Sequence, residues 1–202
     1  MGRKGTLVVN YCNLFPASRP AAEIGGSELL VAFLDEALSM SADRLYVLSP
    51  YVTDGVFGDN TFRNAWRRLL RQTRTTVVVR APGAAEALLR ASRPNLRDRD
   101  LLINARLHAK VFVASKGAAA IALAGSQNLT GAALHDNDEV GVLIRRRGDE
   151  DATLMAGVKS IVAAIVRRSV AYSPDSTGLP RYPLTDGRAT LLQRRPLGRI
   201  SV

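Results

Sequence analysis

His108 and Lys110 stand two residues apart, and Ser126 and Asn128 repeat that spacing further along the chain. Imidazole is both a nucleophile and a proton carrier near neutral pH, while lysine, serine and asparagine are donors that can hold anionic oxygens. The stretch RLHAKVFVASKG reads as a strand over 107–114, where residues two apart share a face. His108 and Lys110 then project together, and Ala109, Val111 and Val113 face the other way. A second apolar run, 119–124, leads to Gly125, whose lack of a side chain allows a tight backbone. The spacing predicts a strand-to-helix turn there, with a helix starting at Asn128 whose free N–H groups and dipole would favour an anion. A phosphate fits between Lys110, Ser126 and Asn128.

In this order, His108-x-Lys110, an apolar strand, Gly125-Ser126-x-Asn128 and then Asn137-x-Glu139 resemble the HxK…GSxN signature of the phospholipase D superfamily. The match runs over residues 106–144, and flanking segments such as LYVLSPYV agree in order and texture. The resemblance implies an α/β fold, a mixed β-sheet flanked by helices on both faces, with a single motif per chain. It also implies a mechanism that needs no metal and no cofactor. His108 would attack a phosphodiester to give a phosphohistidine, and a second histidine would protonate the leaving oxygen and then activate water. Lys110, Asn128 and Ser126 would hold the non-bridging oxygens, and Glu139 would accept a hydrogen bond from the far ring nitrogen of His108.

Two departures qualify the match. Ser115 stands where the family has an aspartate five residues after the lysine, and three extra residues precede Gly125. The chemistry also asks for two histidines, and His135, in LHDNDE, lacks lysine and asparagine companions and reads as a surface residue. The small single-motif members of the family solve this by pairing two chains. The resemblance therefore implies a homodimer with two copies of His108 across a two-fold axis.

The elements that must position these residues follow from periodicity. Ser27 can cap a helix carrying Leu30, Phe33, Leu34, Ala37 and Leu38 on one stripe. RLYVLSPYV reads as a strand ending in a proline turn, and residues 61–73 as a helix with Phe62, Trp66, Leu69 and Leu70 inward. TTVVVRAPG is a β-branched strand, AAEALLRAS a helix, and EVGVLI a strand. A last helix over 151–168 places Leu154, Val158, Ile161, Val162, Ile165 and Val166 on one face, as for a helix laid on a sheet. Alternation of this kind is that of mixed α/β folds. The reading is one catalytic domain over 1–172 and a basic, proline- and arginine-containing extension over 173–202, with RATLLQ as a candidate extra strand.

Charge narrows the partners. The net charge is +10, from 24 arginines and only 4 lysines among the cations, and arginine's planar fork suits bidentate contact with phosphate. This favours a polyanion. Arg63, Arg67 and Arg71 on the helix over 61–73, together with Arg145, are the candidate substrate-binding cations that would guide nucleic acid, DNA or RNA. Tyr51 is a candidate for stacking on bases, whereas Trp66 belongs to the core stripe.

No apolar run approaches the ~20 residues of a bilayer span, and no amphipathic docking segment stands out, so stable membrane association is not expected. The N-terminus lacks the apolar core of a secretory signal, and Cys12 is alone, which excludes an internal disulfide. A cytoplasmic protein is the expectation, with protein partners in a larger system left open. Two other functions fit parts of the pattern: a phospholipase D-type lipid phosphodiesterase, and a nucleic-acid-binding module with little or no turnover.

Overall fold

The computed structural model describes residues 21–146 and 152–174. One eight-stranded mixed sheet, in the order β1-β7-β6-β5-β2-β3-β4-β8, carries the fold. Its strands are β1 (Ala22–Gly25), β2 (Arg44–Leu48), β3 (Arg74–Val79), β4 (Leu101–Ile103), β5 (Val111–Lys116), β6 (Ala119–Gly125), β7 (Gly141–Arg146) and β8 (Val170–Ala171). Strands β2, β3 and β4 run parallel, and the other neighbours are antiparallel. Parallel neighbours need a crossover, which α2 (Asn60–Gln72) and α3 (Pro82–Ser92) supply. The antiparallel β5–β6 pair needs only Gly117 and Ala118, with Gly117 at a φ of 56° that a side chain would disfavour.

Helices cover both faces. α1 (Glu28–Ser39), α2 and α3 bury Leu29, Phe33, Phe62, Trp66, Leu69 and Leu88 against Val47, Val77, Phe112 and Leu123. α5 (Ala152–Arg167) lies on the other face, where Met155, Val162 and Val166 meet Leu48, Val78, Leu107, Val113 and Ile144. The core helix stripes follow the sequence with two exceptions. In α1, Ser27 makes no side-chain capping bond; the Gly26 amide is instead satisfied by Glu28 Oε1 at 2.8 Å. In α5, Leu154 and Ile161 point outward, 55% and 58% exposed, because Met155 and Ala163 take the inward positions.

α2 is anchored by two polar contacts, one at its N-terminus and one at its middle. Asp59 accepts from the Phe62 amide at 2.8 Å as N-cap, and the indole N–H of Trp66 donates to Ser92 Oγ of α3 at 2.9 Å. Trp66 is fully buried, as its place on the apolar stripe implies. The extension beyond residue 174, including RATLLQ, and Arg147 lie outside the described residues.

Candidate functional site

The mixed topology brings the chemically marked residues to one end of the sheet. The C-terminal ends of β2, β3, β4 and β6 meet the N-terminal ends of β5 and β7 there, since Leu48 pairs with Val111 and Gly125 with Gly141. Ligands of α/β sheets bind at this kind of edge, beyond the carboxyl ends of parallel strands.

His108 and Lys110 sit just before β5, whose ladder begins only at Val111, four residues later than the sequence suggests. The backbone of Lys110 is still tied to the sheet, because its carbonyl accepts from the Gly125 amide at 3.2 Å. The alternation holds through this lead-in: Leu107, Ala109, Val111 and Val113 pack towards α5, and Phe112 towards α1. His108 is exposed and Lys110 half-buried, with the Lys110 ammonium donating to the His108 carbonyl at 3.0 Å. Upstream, Asn104 shapes the approach. Its side chain accepts from the Arg106 amide at 3.1 Å and donates to Ser169 Oγ at 3.4 Å, and its carbonyl accepts from the Leu107 amide at 2.8 Å.

The Gly125–Asn128 segment is built around Gln127, the position the motif leaves open. Its side chain is buried and donates to the Gly26 carbonyl at 3.1 Å, lying across Gly125 and Gly141. A Cβ on Gly141 would lie 2.6 Å from Gln127 Nε2, and one on Gly125 would collide with Gln127 Oε1 and the Val140 carbonyl. Gly125 is therefore required for space rather than for an unusual φ, which it does not have. The Ser126 amide donates to the Val140 carbonyl at 2.9 Å, and its hydroxyl accepts from the Val140 amide at 3.0 Å.

Glu139 is placed differently from the expectation. Its carboxylate takes a short hydrogen bond from the Ser126 hydroxyl and a second from Asn137 Nδ2 at 3.2 Å, not one from His108. The imidazole of His108 has no hydrogen-bond partner among the described residues. Among the described residues the Asn128 side chain likewise has no hydrogen-bond partner, and its Oδ1 is buried. The helix expected at Asn128 starts instead at Gly131, because Thr130 is the residue whose hydroxyl caps it, accepting from Ala133 at 3.2 Å. That helix, α4 (Gly131–His135), is a single turn.

A neighbour that the motif does not contain links this loop to β2. Ser49, fully buried, accepts from the Leu129 amide at 2.9 Å and donates to the Tyr51 carbonyl at 2.7 Å. Ser49 carried no sequence signal beyond its place after an apolar strand.

The arginines divide otherwise than charge alone suggests. Arg145 is 3% exposed and forms a buried cluster with Glu36, at 2.6 Å and 2.8 Å, and Glu23, at 2.8 Å. Burial would lower its pKa, but the two carboxylates outweigh that and leave it raised. It is thus a structural cation, not one that meets substrate. Arg67 spans from α2 to the Ala91 carbonyl of α3 through Nε at 3.3 Å and Nη2 at 3.1 Å. Arg63 folds back on Phe57 and Asn60, and Arg71 is exposed near the opposite end of the sheet, three residues before β3 starts. Among the described residues, Arg80 and Arg106 are exposed cations at the marked end, and Lys110 is half-buried. Ser115, the departure from the family pattern, sits five residues along β5 from Lys110, roughly 16 Å away at strand rise. It is buried and does not line the marked end. His135 pairs loosely with Asp59 at 4.0 Å.

NucT from Helicobacter pylori aligns over 75% of this chain and 98% of its own, with a TM-score of 0.51 and 13% identity. The fold of this chain is the fold of NucT. Nuc from Salmonella typhimurium, a phospholipase D family member, aligns over 75% of this chain and 97% of its own at 14% identity, with a TM-score of 0.49. Neither a family model nor a curated protein matches the sequence. The mixed sheet with helices on both faces is the α/β architecture expected from the sequence. No group of three or more His, Cys, Asp or Glu among the described residues could hold a metal, and no described helix is long and apolar enough to cross a membrane.

Proposed function

We propose that this chain is a metal-independent phosphodiesterase that hydrolyses nucleic acid, acting as a homodimer in which two copies of His108 share one site. The observation that carries this reading is the pairing of an exposed, uncommitted imidazole with Lys110 and an uncommitted Asn128 amide at one sheet edge. A phosphate seated there would receive the Lys110 ammonium and the Asn128 amide on its non-bridging oxygens. His108 then attacks phosphorus, the P–O bond to the leaving nucleoside breaks, and the partner subunit's His108 gives that oxygen a proton. In the second step the same imidazole takes a proton from water, whose oxygen attacks phosphorus and releases His108. The hydrogen bonds that Glu139 holds to Ser126 and Asn137 keep the loop in place for this.

A nucleic-acid substrate is supported by the net charge of +10 and by Arg80 and Arg106 at the same edge. Cytoplasmic action belongs to the same proposal. The test is cleavage of DNA, RNA and phosphatidylcholine in excess EDTA, with His108→Ala as control and sedimentation to give the mass. EDTA-resistant cleavage of nucleic acid that is lost in His108→Ala, by a species of twice the chain mass, is the expected result. Lipid turnover alone, binding without turnover, or an active monomer would overturn it.

A further inference from the structure

Among the described residues, the aromatic side chain that stands clear of the core at the marked end of the sheet is Tyr51, 50% exposed. Its position is fixed. Ser49 holds its carbonyl at 2.7 Å, and Val52 makes a parallel bridge with Leu129, the residue after Asn128. The bridge is reinforced by the Thr53 amide donating to the Leu129 carbonyl at 3.1 Å. Bridged backbones lie about 4.8 Å apart, so Tyr51 stands beside Asn128, on the flank of the phosphate position. Arg80, at the end of β3, donates from its amide to the Pro50 carbonyl at 3.3 Å and from Nη1 to the Tyr51 hydroxyl at 3.0 Å. A half-exposed phenol would ordinarily turn freely. Here a guanidinium holds its polar tip while the side chain stays half-exposed.

We propose that Tyr51 and Arg80 form a nucleotide-binding step next to the scissile phosphate, where Tyr51 stacks on an unpaired base and Arg80 meets the adjoining backbone phosphate. The inference rests on the phosphodiesterase reading above and sharpens its substrate class to single-stranded nucleic acid. A base can lie on the ring only if it has left its own stack, so a duplex, whose bases are mutually stacked, is excluded from this contact. Stacking tolerates every base, because each has a π-face, and predicts no strong sequence preference. Arg80 acts twice in this arrangement: it orients the ring through Nη1 and offers its remaining N–H groups to phosphate.

The test uses the full chain and measures equilibrium binding by fluorescence anisotropy, with single-stranded DNA, single-stranded RNA, duplex DNA and a single strand carrying one abasic nucleotide beside the intended cleavage position. Wild type should bind either single strand more tightly than duplex and should lose affinity for the abasic strand. Tyr51→Ala should weaken single-strand binding roughly 5- to 150-fold, the range of one stacked base, and bind duplex as wild type does. It should no longer distinguish the abasic strand. Tyr51→Phe should stay close to wild type, since it keeps the ring, and Arg80→Ala should weaken single strands at low salt more than at high salt. Tyr51→Ala with an unchanged ratio of single-strand to duplex affinity, or Tyr51→Phe as weak as Tyr51→Ala, would overturn the stacking step. EDTA-resistant, His108-dependent cleavage that persists alongside either result would overturn this inference alone. Failure of wild type to bind any nucleic acid would overturn both.

Discussion

Replacing Arg145 by alanine separates a structural cation from a substrate contact. The guanidinium holds Glu36 through two bonds, at 2.6 Å and 2.8 Å, and Glu23 through one at 2.8 Å, so its removal takes a shared cation from two carboxylates that are 14% and 22% exposed. Removing one partner of a buried ion pair costs about 3–5 kcal/mol, and partial rehydration of the carboxylates favours the lower half, about 3–4 kcal/mol. At about 2–4 °C per kcal/mol for a domain of this size, Arg145→Ala should melt about 6–16 °C below wild type. Adding Glu23→Gln and Glu36→Gln to an Arg145→Met background should recover much of that loss, because no charge is then left buried. The assay is a thermal melt by circular dichroism, run beside nucleic-acid binding well below the lowered midpoint. The folded variant should bind as wild type does. A variant that melts within about 2 °C of wild type and has lost nucleic-acid affinity would refute the reasoning and return Arg145 to the substrate path.

Gly125→Ala drives a methyl group into the Val140 carbonyl and the Gly141 backbone, which cannot swing aside as a side chain can. We expect a loss of about 1–3 kcal/mol on urea unfolding, with the Ser126 loop displaced and activity reduced further than stability; a neutral substitution would mean that β6 and β7 separate easily at that pair. Lys159 of α5 is held below the ordinary lysine pKa of 10.5 by burial and by the charges of Arg146 and Arg44. The unfolded chain therefore binds more protons than the folded one just below that value, so stability rises with pH in that window. Lys159→Met should lack the rise and be more stable at neutral pH. Unfolding measured at about pH 8 and about pH 10 reads both effects, and parallel slopes in the two proteins would refute this.

Sequence and structure agree where the governing pattern is local. Two-residue alternation was enough to put His108 and Lys110 on one side and Val111 and Val113 on the other, and the α/β fold followed from helices alternating with strands. The onset of β5 was misplaced because a ladder starts where a partner exists, and the partner of Val111 is Leu48, more than sixty residues earlier. The surroundings of Arg145 are hidden for the same reason: beside Arg146 and Arg147 it looks like a solvated run, and its two carboxylates lie more than a hundred residues upstream. In α5, helical spacing could not separate Val162 from Ile161, since the apolar positions exceed the width of one buried face. Gln127 was invisible, because what gives it a role is the pair of glycines it covers, one of them on the next strand.

The meander of β5, β6 and β7 has a consequence for how the molecule assembles. These three strands are neighbours in the chain as well as in the sheet, joined by 2 residues and by the 15 that carry α4, whereas 25 residues separate β2 from β3 and 21 separate β3 from β4. Loop-closure entropy grows with the length of chain enclosed, so the segment that bears His108, Lys110, Ser126, Asn128 and Glu139 is the part of the sheet that closes at least entropic cost. The reactive edge can thus organise from contiguous chain, and the crossovers then supply the Ser49 clasp that locks it.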